Sequence, residues 1–232
     1  MTQSPPILYF APSTCARVTL TALEEIGEPF ETRLIAFMAG EHRRPAYLAV
    51  NPSGKVPALD TGSGVVTQNG SILLYLARTR PDAGLLPLTG EPLQESAIVS
   101  ALFRFSSDLH PLVTRFVLPG MMLCSNDAAP QVREKAEELL LQQLHPIDAQ
   151  LDAQPWVLGG NWSILDSYLA WIWFRITGAG FDHGIFPAIA THYERAGERP
   201  SARAALAHEK RAMAELVRRG LSFTPPRLKT EN

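Results

Sequence analysis

Cysteine is scarce in this chain: Cys15 and Cys124 are its only two among 232 residues. Two thiols so far apart form neither a metal-ligand spacing nor a disulfide framework, and they suit a reducing, cytoplasmic setting. Charge of one sign is lacking too. A net charge of −2 does not carry the basic footprint of nucleic-acid binding. No apolar run approaches the ~20 residues of a membrane span. The opening M-T-Q-S-P-P-I-L-Y-F has neither the basic start nor the cleavable apolar core of a secretion signal. The histidines are scattered with no H-x-x-x-H pair, so no metal site is expected, and no repeat or low-complexity block occurs. What remains is an ordinary globular composition, 46% hydrophobic and 19% charged, long enough for one large domain or two smaller ones.

The first ~85 residues alternate strand and helix signals at the spacing of compact α/β units. Ile7 to Phe10 is a short apolar strand stopped by Pro12, and Thr14 to Ile26 repeats apolar residues at helical intervals up to Gly27. Phe30 to Ile35 gives a second strand, followed by the polar loop G-E-H-R-R-P and a turn of helix at Tyr47–Val50. Val56–Leu59 and Val65–Thr67, joined by T-G-S-G, predict a hairpin, and Ser71 to Ala77 a largely buried helix. The order is β-α-β-(short helix)-β-β-α. Residues 80–92, rich in proline and glycine, resemble a linker. Beyond it only helices are expected, at 93–118, 131–152, 164–177, 186–196 and 201–219, with Pro111 and Pro146 kinking or interrupting two of them. Ser163-Ile164-Leu165-Asp166 has the form of a capping box, and the tail after residue 220 is expected to be loose.

The stretch F-A-P-S-T-C-A-R-V places Ser13, Thr14 and Cys15 where the first strand hands over to the first helix. The leading N–H groups of a helix lack partners and its dipole favours negative charge, so a thiol there is pushed toward thiolate. Three readings stand: Cys15 is a nucleophile, Ser13 or Thr14 serves a thiolate brought by a ligand, or all three cap the helix. In N-P-S-G-K-V-P-A-L, a cis Val56–Pro57 bond would turn the Val56 backbone outward to pair with an extended peptide; a trans proline opening an edge strand is the plainer alternative. Gln68 and Asn69 stand at a strand-to-helix junction, where side-chain amides and backbone N–H groups suit a ligand bearing a carboxylate and an amine, unless Asn69 merely caps the helix. His110, in D-L-H-P, either faces a cleft and polarises a ligand's charge or is structural. Phe116, Met121 and Met122 line an apolar pocket or belong to the core, and Trp171, Trp173 and Phe174 recur too closely to share one face, which points to buried packing.

Together V-P-A-L, the later T-Q-N-G-S-I-L-L-Y-L and N-W-S-I-L-D-S-Y-L-A resemble a cytosolic glutathione transferase over residues 6 to 215. Within that family S-T-C, E-H-R-R-P and D-L-H are most similar to the bacterial beta-type class, which has a cysteine at the place of Cys15 and a histidine at that of His110. The resemblance implies a thioredoxin-like glutathione-binding domain at 6–80, a linker at 81–92 and an all-helical domain at 93–220, with a tail at 221–232. It implies glutathione as co-substrate, held by Lys55, Val56, Pro57, Gln68 and Asn69, and a small apolar second substrate. Cys15 is the residue implied to meet the glutathione sulfur, with Thr14 and Ser13 as the fallback and His110 as a further catalytic candidate, in a homodimer. Two departures bear on this. The usual acidic-or-Gln then Ser pair is Gln68-Asn69, and the basic residue that often follows the histidine is Pro111. The implied activity is glutathione-thiolate attack on an electrophile or thiol–disulfide exchange; a non-catalytic binding module on the same fold is the alternative.

Overall fold

A computed structural model describes residues 4–125 and 127–221, so residues 222–232 of the expected loose tail lie outside the described residues. The N-terminal part is built on a four-stranded sheet in the order β2-β1-β3-β4. β1 (Ile7–Phe10) is an inner strand, with Leu8 and Phe10 buried. It pairs in parallel with β2 (Glu31–Leu34), Ile7 opposite Glu31, and antiparallel with β3 (Ala58–Asp60), Leu8 opposite Leu59. Parallel neighbours need a crossover, and α1 (Ala16–Ile26) supplies it. Gly27, at φ 73°, closes that helix by donating its N–H to Leu23 O. β3 turns back into β4 (Val65–Thr67), and α3 (Asn69–Thr79) packs beside α1 through Ile72, Leu73 and Leu76. This is the thioredoxin-like arrangement expected from the strand and helix order. The loop expected after β2 contains two 3-10 turns, Phe37–Ala39 and Glu41–Arg43, before α2 (Pro45–Leu48). α2 begins earlier than expected because Pro45, with its fixed φ, opens it.

The remainder is helical: α4 (Pro92–Phe103), α5 (His110–Val117), α6 (Ala129–Ala153), α7 (Ile164–Thr177), α8 (Pro187–Gly197) and α9 (Pro200–Arg218). The single helix expected at 93–118 is divided by a π-helical turn, Arg104–Leu109, immediately before α5. Pro111 has no N–H to donate and its ring crowds the preceding turn, which a wider turn relieves. Pro146, expected to kink or interrupt its helix, lies inside α6, which runs unbroken over 25 residues. α7 is the centre of the helical part, burying Leu165, Tyr168, Leu169, Trp171, Ile172, Trp173 and Ile176. Its start has both reciprocal bonds of the expected capping box between Ser163 and Asp166. No helix among the described residues is long and apolar enough to cross a membrane.

The last helix returns to the first domain. α9 lies along α1, where Glu25 meets Arg199 and Ser201, Glu24 meets His208, and Arg17 meets Glu209. The Glu25–Arg199 and Glu24–His208 contacts are partly open to solvent, and such ion pairs contribute little. The Arg17–Glu209 pair differs, because the Glu209 side chain is only 5% exposed.

Candidate active site

The turn from β1 into α1 brings the three candidates of the S-T-C stretch together but gives each a different environment. Thr14 turns its hydroxyl inward, donating to Ala11 O at 2.7 Å and accepting from Ala16 N at 3.3 Å, so it ties the first turn of α1. Cys15 occupies the N-cap position, is 5% exposed, and its Sγ lies 3.8 Å from Val56 O. Burial pushes its thiol up to about 12, against the lowering from its backbone contact and the nearby Arg175 cation. This reverses the expected drift toward thiolate: removing the sulfur from water costs more than the helix terminus returns. Ser13 is half-buried, at φ 63°, and its hydroxyl has no hydrogen-bond partner among the described residues.

The N-P-S-G-K-V-P-A-L segment is shaped by its own asparagine. Asn51 donates from Nδ2 to Lys55 O at 2.7 Å and accepts from the Ser53 amide and hydroxyl, while the Tyr47 hydroxyl donates to the same Lys55 carbonyl. Gly54 takes φ 60° with no room to spare, since a Cβ there would meet His42 O at 3.0 Å. The Val56–Pro57 bond that follows is cis. Pro57 is buried, Val56 is half-buried beside Cys15, and the Lys55 side chain is exposed.

The two amides at the start of α3 part company. Gln68 takes φ 67° and leaves its side chain exposed, with no hydrogen bond among the described residues. Asn69 points inward. Its Oδ1 accepts from the Thr19 hydroxyl at 2.6 Å and its Nδ2 donates to Cys15 O at 3.1 Å, so its amide locks α3 to α1 rather than capping its own helix.

His110 stands at the start of α5 and is mostly buried, with Nδ1 3.0 Å from the Tyr168 hydroxyl and its ring edge-on to Trp171 at 4.7 Å. Burial, with the Lys55 and Arg175 cations adding to it, lowers the imidazole to about 4, so it is neutral at pH 7. Trp171 in turn donates its indole N–H to Ser13 O at 3.3 Å. His110 is thus linked to the S-T-C turn through Trp171, whose ring it faces. Phe116 is core, capped by the Arg133 guanidinium, whereas Met121 and Met122 are half-exposed. Met121 lines a cleft of about 230 Å³ with Phe37, Met38, Gly40, His42 and Arg43. Sequence reasoning missed Trp171 and Glu209 as neighbours of the turn. They lie 158 and 196 residues along the chain from Ser13, and nothing in local spacing signals them.

Residues 12–79 match the family model described as glutathione S-transferase, N-terminal domain. The disulfide-bond oxidoreductase YfcG of Escherichia coli K12 is 31% identical over 211 residues, covering 86% of this chain and 93% of that protein. The chain belongs to the glutathione S-transferase family. A solved sphingomonad glutathione S-transferase, complexed with glutathione, superposes with a TM-score of 0.76 at 30% identity, covering 88% of this chain and 98% of that one. A maleylacetoacetate isomerase from Rhizobium meliloti is also 31% identical, over 62% of this chain and 66% of that protein. For this transferase-family chain, the turn at Ser13–Cys15, the cis Val56–Pro57 bond and the start of α3 lie together at one end of the sheet, bound to one another through Cys15 and Asn69.

Proposed function

We propose that the protein is a glutathione transferase in which the Ser13 hydroxyl donates a hydrogen bond to the sulfur of bound glutathione. One observation carries this: of the three side chains at the turn, Ser13 alone has a hydroxyl or thiol both accessible and without a partner among the described residues. The backbone beside Pro57 pairs with the cysteinyl part of the peptide, and the free Gln68 amide takes the γ-glutamyl end, with Lys55 adding positive charge. Asn69 acts from beneath, by holding Cys15 and α3 in place. The glutathione thiol releases its proton to solvent, and its sulfur bonds to an electrophilic carbon whose leaving group departs with the bonding pair. Ser13 keeps its proton and stabilises the thiolate. A small apolar second substrate suits the methionine-lined cleft between the two parts of the chain. Division of the chain at residues 81–92 fits the all-helical content beyond it. Self-association fits the α4 face, where Leu93 and Phe103 are exposed. The free thiols suit a reducing, cytoplasmic setting.

A second reading, thiol–disulfide exchange at Cys15, is favoured by its place at the N-cap of α1 and by the likeness to the disulfide-bond oxidoreductase YfcG. Turnover of chlorodinitrobenzene with glutathione tests the first. A hydrogen bond to a charged group contributes about 1.5–3 kcal/mol, so Ser13→Ala should lower kcat roughly ten- to a hundredfold with glutathione affinity nearly unchanged. Undiminished turnover would remove Ser13 from the chemistry. Glutathione binding without turnover of any electrophile or disulfide would leave a binding module.

A further inference from the structure

We propose that Glu209, on the last helix, is a positioning residue that sets the direction of the Ser13 hydroxyl; this rests on the transferase reading above. Ser13 is not a glycine, yet it sits at φ 63° in the left-handed region, a conformation that persists only where the surroundings impose it. Both peptide groups of Ser13 are held from the helical part. Its N–H donates to Glu209 Oε1 at 2.8 Å, and its C=O accepts from Trp171 Nε1 at 3.3 Å. Glu209 is itself immobilised. Its Oε2 accepts from Arg17 Nε at 3.0 Å and Nη2 at 2.5 Å, and the Arg17 guanidinium rests 3.8 Å over the Phe174 ring.

The chemistry of this pair suits its place. A bare buried carboxylate next to a bound thiolate would repel it, whereas the two Arg17 N–H groups on Oε2 leave the clamp electrically neutral. Arg175, mostly buried nearby, adds a second cation. The other polar links between α9 and α1, from Glu25 to Arg199 and Ser201 and from Glu24 to His208, do not touch the turn. They dock the helix. Among the described residues, Glu209 alone couples that docking to the residue that meets the sulfur.

The experiment compares Glu209→Ala and Glu209→Gln with Glu25→Gln, which loosens the same helix pair without touching Ser13. We expect kcat with glutathione and chlorodinitrobenzene to fall at least about tenfold in Glu209→Ala, with glutathione affinity changed less than threefold, since misplacement of a reacting group is costly. Glu209→Gln, whose amide oxygen can still accept from Ser13, should recover part of the loss. Glu25→Gln should lose stability but not kcat. In a Ser13→Ala background, Glu209→Ala should cost nothing more. A kcat loss that persists in full without the Ser13 hydroxyl, or that tracks stability equally in the Glu25 variant, would overturn the proposal. Should the wild type lack turnover altogether, the transferase reading fails, and amide exchange at Ser13 still decides the clamp. Exchange faster in Glu209→Ala than in Glu25→Gln supports it; equal protection overturns it.

Discussion

Two helix starts in this molecule face the same physical problem and solve it in opposite ways. α7 begins with a carboxylate of its own. Asp166 accepts from the Ser163 amide at 2.7 Å, the Ser163 hydroxyl at 3.2 Å and the Val157 amide at 2.8 Å, and lies 2.8 Å from His192 Nε2. That end is closed, and all of it is buried. α1 has no acidic residue in its first turn and no cap from the Cys15 side chain; the Thr14 hydroxyl covers the Ala16 amide, and the Thr14 and Cys15 carbonyls cover those of Arg17 and Val18. Both ends carry the same partial positive charge. Where the chain supplies the anion, the helix start contributes stability. At α1 the carboxylate comes from another helix: Glu209 accepts from the Ser13 amide just ahead of α1 and is paired with Arg17, while the first turn itself has no acidic side chain.

The widest gap between the two should appear in stability. Asp166→Ala removes a fully buried charged acceptor and strands His192, and breaking such a cluster costs about 3–5 kcal/mol. Urea unfolding should show that loss, or the variant should fail to accumulate as folded protein. A loss under about 1 kcal/mol, within the range of an ordinary cap, would mean that the two helix starts do not differ in kind.

The next test is chemical and concerns the open end. A thiol at about 12 has a thiolate fraction roughly a thousandfold below that of a free cysteine near 8.5. Oxidised glutathione or a maleimide should modify the exposed Cys124 first, with the buried Cys15, its thiol held protonated, clearly slower. Mass mapping of the adducts over time gives both rates. Comparable rates would show that the helix terminus outweighs burial, and thiol–disulfide exchange at Cys15 would replace Ser13 as the leading chemistry.

These cases also mark how far the sequence could be read. The closed end was legible, because a capping box is a local pattern and Ser163 to Asp166 contain all of it. So was the run of strands and helices along the first 80 residues, since the apolar β1 and the V-P-A-L segment carry their signals within a few residues. The open end was legible only as a place. Which of Ser13, Thr14 and Cys15 is free depends on partners elsewhere: Val56 over Cys15, Asn69 beneath it, Trp171 and Glu209 on either side of Ser13. Asn69 itself looked like a cap or a ligand contact, and was drawn inward by Thr19 on a helix 50 residues earlier. The π-helical turn before Pro111 was hidden for a related reason. Proline announces a disturbance but not which way the helix gives.

The smallest expected effect lies between the two helix starts, at His110. Its ring touches Tyr168, in the second turn of the closed helix, and Trp171, whose indole reaches the open turn. An unfolded histidine titrates near 6.5, and the folded imidazole near 4, held down first by burial and then by Lys55 and Arg175. Between those values the unfolded chain binds a proton that the folded chain refuses. Stability contributed by keeping His110 neutral is therefore present above pH 6.5 and lost as pH falls toward 4. Linkage puts the loss between pH 7 and pH 5.5 at about 1 kcal/mol. His110→Asn keeps a polar partner for the Tyr168 hydroxyl but cannot titrate, so its stability should decline by about that much less over the same interval. Urea midpoints at the two pH values, for both proteins, give the comparison. Equal slopes would mean that His110 is hydrated and charged in the folded state, and the cluster joining α5, α7 and the Ser13 turn would then be open to water.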